Sequence, residues 1–554
     1  MPDALTVAIV WGRLVAIAEE MGETLRRTAY SDAVREGRDF STGVFDHRGR
    51  MLAQADLSPG HLGAMPFAVQ NMLGAYPART LRPGDVIVMN DAYLGSGHLP
   101  DFYSMSPAFA GEELIGFVVA SAHLVDVGGL RPGSQSVVGV TEMFHEGIRF
   151  PPTMLYRGGT PDAALFRILE ANVRVPDKLT GDLRAQRNAL RVGAAKLGEM
   201  VGKYGARLVT DCADVFLDHS ERAVRTQLEA IADGTYGFVD HLDDVGPGTA
   251  AVRMEVAVTI SGSDITFDFS GSSAQTASAI NSPINFTRAY CYWATKAITT
   301  RNTIPQNEGQ LRPIRVVAPE GSFFNPRHPG AAGGRAVLNQ RIVEVIFGAL
   351  AQVIPERLSA ASGQWCNPTM GGYDPRNGRR FVFYDYSVGG VGGRYRSDGV
   401  SAMSPVFSLE NVPVEIQEAQ YPILVERVEL VTDSGGAGRT RGGLAVRKDI
   451  RLLADDVELS NLTDRQRVPG YGLEGGDPGS LGRTLLNPGT GEERVIHSKE
   501  SCRLKVGDVV SVQCSGSGGF GPPRERARAL VARDVAEGYV SRDAAVKIYG
   551  YTPD

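Results

Sequence analysis
Cysteine is scarce in this sequence: Cys212, Cys291, Cys366, Cys502 and Cys514, an odd number, never spaced CxxC. That excludes a disulfide framework and a zinc knuckle, and it fits the reduced thiols of a cytosolic protein. Long apolar runs are missing as well. The N-terminal TVAIVWGRLVAIAEE is preceded by Asp3, interrupted by Arg13 and closed by Glu19 and Glu20, so it does not read as a signal peptide. No stretch reaches the roughly 18 residues of a membrane span. Cationic excess is absent: 57 Lys+Arg against 63 Asp+Glu leave a net charge of −6. Non-specific binding to nucleic acid or anionic lipid has no basis in that balance. The chain also lacks GxSxG, HExxH, a Cys with a nearby His, and the phosphate loop GxxxxGK[ST]. Acyl-enzyme chemistry and nucleotide binding therefore have no sequence support. The expectation is a soluble cytoplasmic protein with no nucleic-acid or membrane partner.

What is present is ordinary globular material, with 43% hydrophobic and 22% charged residues over 554 positions, enough for three or four folding units. Glycine (66) and proline (31) are abundant without a period, which points to many defined turns. Five blocks are expected. Residues 1–160 open with a helix, because Val7, Val10, Leu14, Ile17, Met21 and Leu25 share one face, and it ends near Tyr30. Short buried strands with elaborate loops follow from 36 to 150, among them VIVM at 86–89. Residues 161–235 read as helical, with Thr180 or Asp182 as an N-cap. Residues 236–360 start with a β-hairpin, since Met254, Val256, Val258 and Ile260 alternate with polar neighbours before the turn SGSD; helical runs follow near 289–300 and 339–353. Residues 361–525 form a glycine-rich β region, and 526–554 a helical tail. The predicted class is α+β (mixed), a compact particle with a β-rich body and peripheral helices.

Two histidines stand in unusual company. His98 lies in NDAYLGSGHLPD, where Asn90, Asp91 and Asp101 crowd around tight glycine turns, and His123 lies in SAHLVDVGG, delivered with Asp126 at the end of an apolar run. Imidazole plus carboxylate suits a divalent first-row metal, although hydrogen-bonded structural histidines would produce the same HxxD spacing. REGRDFSTGVFD adds Glu36, Asp39 and Asp46, readable either as ligands or as a solvated charge cluster. DSGGAGRTRGG at 433–443 is readable as an anion cradle or as glycine turns, and NSPIN and PQNEG as pocket lining or as caps.

Taken together, REGRDFSTGVFD, HLGAMP, PGDVIVMNDAYLGSGHLPD, SAHLVDVGGLRPGS, GDLRAQ, PQNEG, DSGGAGRTRGG, GGFG and DVAEGYVS resemble, in order and from about residue 5 to 550, the hydantoinase B family. This family includes B-type subunits of ATP-dependent hydantoinases, the corresponding half of 5-oxoprolinase, lactamase relatives and subunits of acetone and acetophenone carboxylases. The resemblance implies a cyclic amide hydrolase in which an A-type partner subunit uses ATP to phosphorylate the substrate, and a metal-activated water in the B-type subunit completes ring opening. It implies a hetero-oligomer and a divalent metal, zinc first and manganese second, on His98, Asp101, His123 and an acid of REGRDFS: Asp39, with Glu36 as rival. Asp91 and Asp126 are expected to orient imidazoles, and Asp101 or Asp126 to accept a proton. The match departs from the family at Ala92, Ser96, Gly97 and Leu124, positions that shape the pocket without removing a proposed ligand. A ketone carboxylase subunit and a non-catalytic scaffold for the ATPase are the alternatives.

Overall fold
Asp3 caps helix α1 (Ala4–Thr28), its carboxylate accepting the Thr6 amide at 3.0 Å, and the expected stripe Val10, Leu14, Ile17, Met21 and Leu25 is buried. A short helix α2 (Asp32–Arg35) then leads into strands β1 (Phe40–Asp46) and β2 (Met51–Gln54), helix α3 (Pro59–Ala75), and strands β3 (Val86–Met89), β4 (Asp101–Ala110), β5 (Glu113–His123), β6 (Thr153–Arg157) and β7 (Thr160–Pro161). The seven strands make one antiparallel sheet ordered β2-β1-β5-β4-β3-β6-β7. This computed structural model describes residues 2–55, 57–301, 303–407 and 409–552.

Both faces of that sheet are covered, which is why IGFVVASA reads as a continuous apolar run and not as an alternation. Helices α4 (Ala163–Asn172), α5 (Pro176–Tyr204) and α6 (Ala206–Leu228) follow it. Val118 and Ala120 of β5 pack with α1 and α5 on one side, while Phe117 and Val119 pack with Leu62, Met65 and Met72 of α3 on the other. Helix α3 was not visible in the sequence, where 36–150 reads as strands and loops. It is buried nearly all round and carries Pro66, so it shows no amphipathic period. The N-cap expected at Thr180 or Asp182 is also corrected. Helix α5 begins earlier, at Pro176, whose fixed φ and missing amide suit the first helical position. Asp182 sits inside the helix, and its Oδ1 accepts the amides of Tyr30 at 2.7 Å and Ser31 at 3.1 Å, fixing the entry to α2.

The expected hairpin forms within a second, four-stranded sheet made of β8 (Gly234–Leu242), β9 (Val252–Ser261), β10 (Asp264–Asp268) and β11 (Ile314–Val317), ordered β11-β10-β9-β8 with β11 parallel to β10, and accompanied by helices α7 (Ile284–Ile298) and α8 (Leu338–Leu350). Helix α7 joins this half to the first sheet through α3. A Cβ on Gly63 would stand 2.5 Å from Ala289 Cα, so only glycine permits the approach that brings α7 and its Tyr290 to the start of α3. Beyond α8, strands β12 (Asn367–Tyr373) and β13 (Arg380–Tyr384) pair into a four-stranded sheet with Val457–Leu462 and Ser501–Leu504. It shares a core with a five-stranded sheet through Met370, Phe383, Leu459, Ile450, Val510 and Val512. The mixed α+β class is thus observed, and no described helix is long and apolar enough to cross a membrane.

Three glycine-rich loops, around 434–443, 470–480 and 514–521, stack backbone on backbone. A Cβ at Gly516 would lie 1.7 Å from the Ser434 carbonyl oxygen, and at Gly518 2.0 Å from that of Tyr471. DSGGAGRTRGG is therefore packing material, with Arg441 buried against Asp534.

Burial pushes the Asp182 carboxyl up to about 6, and its Oδ2 has no hydrogen-bond partner. A raised folded-state pKa means a stabilising contribution that is complete below about pH 4 and lost as pH rises through about 6. Asp182→Asn keeps the acceptor for Tyr30 and Ser31 without titrating. Its stability relative to the parent should improve by about 2 kcal/mol between pH 4 and pH 7, read from denaturant unfolding at each pH; a difference independent of pH refutes the assignment.

Candidate metal centre
The site is assembled at one edge of the first sheet. Strand β4 begins at Asp101 and antiparallel β5 ends at His123, and the two residues are register partners directly opposite each other. β1 continues the row, because the His123 amide donates to the Asp39 carbonyl at 3.0 Å. His98 stands three residues before Asp101, on a turn that needs the positive φ of 96° at Gly97. The first turn of α3 brings His61 from the opposite side of the chain's path.

Three imidazole nitrogens converge on one oxygen. Asp101 Oδ1 lies 2.7 Å from His98 Nε2, 3.1 Å from His123 Nδ1 and 3.2 Å from His61 Nε2, while Oδ2 accepts from Arg335 and Ser96. His98 Nδ1 faces the Gly333 carbonyl at 3.1 Å. The Gly333 carbonyl and the Asp101 carboxylate both only accept, so a neutral His98 ring, which carries one N–H, satisfies one of them and leaves its other nitrogen facing an oxygen. Burial, aided by the Arg335 charge, pushes His98 down to about 4, so protonation does not relieve that contact near neutral pH. Burial would also lower His61, but the charge of Asp101 and the hydrogen bond to it outweigh burial and raise His61 from its ordinary value. For Asp101 burial pulls upward, and the charges of His98, His61 and Arg335 prevail, holding its carboxyl well below the usual range.

A ring nitrogen lone pair left facing an oxygen is a contact that a bound cation relieves. Ligand atoms of His98, Asp101 and His123 lie within 4.8 Å of one another, all three residues are buried, and His123 Nε2 and His61 Nδ1 have no hydrogen-bond partner. The cavity they line, with Tyr290, Trp365 and Tyr384, measures about 20 Å³, room for an ion or a water. The donor set, two nitrogens and a carboxylate oxygen, fits a divalent first-row metal.

Of the residues named from sequence, Asp39 reaches the same cavity. Its Oδ2 accepts the Tyr386 hydroxyl at 2.9 Å and its Oδ1 stands 3.9 Å from His61 Nε2. Glu36 pairs with Arg35 outside the cavity. Neither Asp91 nor Asp126 hydrogen-bonds an imidazole, contrary to expectation, because amides and arginines take their oxygens. Asp91 accepts from the Tyr93 amide and Arg149, and Asp126 from the amides of Gly128, Gly133 and Arg174 and from the Arg174 guanidinium. The ring of His98 is oriented by the Gly333 carbonyl instead. His61, Arg335, Tyr384 and Tyr386 were missed; only HLGAMP, around His61, carried a signal. NSPIN turns out to cap, with Asn281 donating to the carbonyls of Thr276, Ser278 and Ala331. PQNEG mostly caps too, but Gln306 lines a separate cavity of about 590 Å³ beside Trp293 and Leu62.

The Hydantoinase B/oxoprolinase family model matches residues 3–523. The chain belongs to this family. It is 33% identical over 566 residues to the B-type subunit of a putative D-/L-hydantoinase of Pseudomonas sp. (strain NS671), spanning 99% of this chain and 95% of that protein. The crystal structure of the ATP-dependent caprolactamase of Pseudomonas jessenii superposes with a TM-score of 0.91 at 29% identity, covering 100% of this chain and 97% of that one. An acetone carboxylase chain in its nucleotide-free structure shares the fold, with a TM-score of 0.91 at 20% identity over 99% of this chain and 79% of that chain.

Within this hydantoinase B/oxoprolinase chain, Arg335 is the buried cation that balances Asp101 while also stacking on Phe286, 3.9 Å from the ring centroid. Arg335→Met should cost about 3–5 kcal/mol, because the carboxylate is left buried without its partner. Zinc or manganese should then raise the Tm of the variant more than that of the parent by supplying the lost charge. Equal metal-induced shifts in differential scanning fluorimetry contradict this account.

Proposed function
We propose that this chain is the B-type subunit of an ATP-dependent cyclic amide hydrolase of the hydantoinase, oxoprolinase or lactamase kind, acting in the cytoplasm in a hetero-oligomer with an A-type ATP-binding subunit. The observation that carries the reading is the convergence of His98, Asp101 and His123, all buried, with ligand atoms within 4.8 Å of one another at one sheet edge. His98, Asp101 and His123 hold a divalent metal, zinc in first place and manganese in second, with Asp39 as the further acidic ligand. When bound, such an ion supplies Lewis acidity to water and to a carbonyl oxygen.

The chemistry asked of the site follows from the substrate. Amide resonance protects a lactam or hydantoin carbonyl, and phosphorylation of its oxygen by the partner removes that protection. What remains is to deliver water to the activated carbon while keeping bulk solvent away. The aromatic wall of Tyr290, Trp365 and Tyr384 excludes solvent. Burial, with the Asp39 charge, keeps the phenol of Tyr386 protonated, so it donates to Asp39 and holds that carboxylate in place. His61, with Nε2 against Asp101 and Nδ1 unpaired, is placed to take up a proton released at the centre. Asp101 serves as ligand and acceptor, whereas Asp126, fully engaged by Arg174 and turn amides, is left out of the proton path.

The fold shared with acetone carboxylase supports a second reading, in which the activated compound is a ketone and meets a one-carbon acid instead of water. Co-purifying the chain with its A-type partner and measuring ATP turnover separates the two: dependence on a hydantoin or lactam supports hydrolysis, and dependence on a ketone with bicarbonate supports carboxylation. His98→Ala and His123→Ala should each abolish ring opening by at least about a hundredfold and lower bound metal, while the partner still co-purifies. Full activity with unchanged metal content in either variant sinks the proposed centre.

A further inference from the structure
We propose that Glu146 is a positioning residue for this centre, fixing the proton of His98 on Nδ1 by holding the backbone that accepts it. The inference rests on the reading of His98 as a metal ligand. Glu146 closes the 3-10 turn Met143–His145 and is buried at 3% exposure. Its Oε1 accepts two successive amides, Ala332 and Gly333, each at 2.6 Å, while Oε2 has no hydrogen-bond partner. The same turn grips the segment just upstream, with the Met143 amide donating to the Pro329 carbonyl at 2.8 Å.

The segment held in this way is irregular, and two of its residues end at the site. The Gly333 carbonyl faces His98 Nδ1 at 3.1 Å, placed to accept an N–H there, and two residues on, the Arg335 guanidinium reaches Asp101. If the Gly333 carbonyl withdrew, the proton of His98 would move to Nε2, where Asp101 Oδ1 at 2.7 Å accepts it, and the lone pair that binds a cation would be lost. Glu146 never touches the imidazole and works through one peptide unit. Burial pushes its carboxyl up to about 8, so the side chain is largely protonated near neutrality, and accepting two amides through one oxygen does not require its charge. A glutamine places the same oxygen. A purely electrostatic role would be lost in that exchange.

The test uses the full-length chain and measures the dissociation constants of zinc and of manganese by chelator competition, alongside the Tm of the metal-free protein. Glu146→Gln should bind within about threefold of the parent, and Glu146→Ala about 10- to 100-fold more weakly, the range expected for the partners that orient ligating imidazoles. Glu146→Asp, whose oxygen is withdrawn by one methylene, should also weaken binding, and it replaces the alanine variant if that fails to fold. A residue that only stabilised the fold would lower the metal-free Tm and leave the affinities of folded variants unchanged. Alanine or aspartate variants that bind like the parent therefore overturn the positioning role, as does a glutamine variant as weak as alanine. A parent that binds neither ion, or binds it unchanged after His98→Ala, removes the site reading itself and the positioning role with it.

Discussion
A single carboxylate oxygen, Asp101 Oδ1, organises this protein: it is approached by nitrogens of His98, His123 and His61, while Arg335 and Ser96 occupy the other oxygen. Such crowding is costly unless every participant is held, and the architecture supplies the holding. The Asp101–His123 register pair belongs to a ladder buried on both faces, so a slip of one residue would send the side chains of the shifted strand into the wrong core. His61 depends on α3, and α3 depends on the absence of a side chain at Gly63. Arg335 depends on a coil that Glu146 ties from behind.

The sheet-borne half of the centre was legible in the sequence. A polar residue where an apolar strand ends is a local signal, and it selected His123; Asp101 came with the crowded polar loop around His98, and Asp39 with the family resemblance. His98 was legible because glycine turns and acids surrounded it. The orientation of its ring was not, since the partner is a backbone carbonyl more than two hundred residues away, and a backbone atom writes nothing into side-chain identity. For the same reason Asp91 and Asp126 were assigned to the wrong neighbours: their arginines come from elsewhere in the chain, and proximity in sequence favoured the imidazoles.

Secondary structure failed where burial was complete. α1 and the hairpin of β9 and β10 have one wet side, so their apolar residues recur with the period of the element. α3 has almost none, so the pattern that identifies a helix is erased and Pro66 argues against one. The start of α5 was misplaced because Asp182, a residue type that caps helices, is used here to receive amides from a neighbouring segment. The class as a whole survived these errors, since the long helices and the short strands outside α3 carry enough periodicity of their own.

The stacked glycine loops carry an implication for biogenesis. Segments near 440, 475 and 517 are rich in glycine and poor in apolar side chains, and much of their packing is peptide plane on peptide plane, supplied in part by one another. A ribosome that has made the first of them has not yet made its last neighbour, so this part of the body cannot consolidate until roughly the final tenth of the polypeptide emerges. Nascent chains would wait with these peptide groups exposed, so the glycine loops are a late-closing part of the fold.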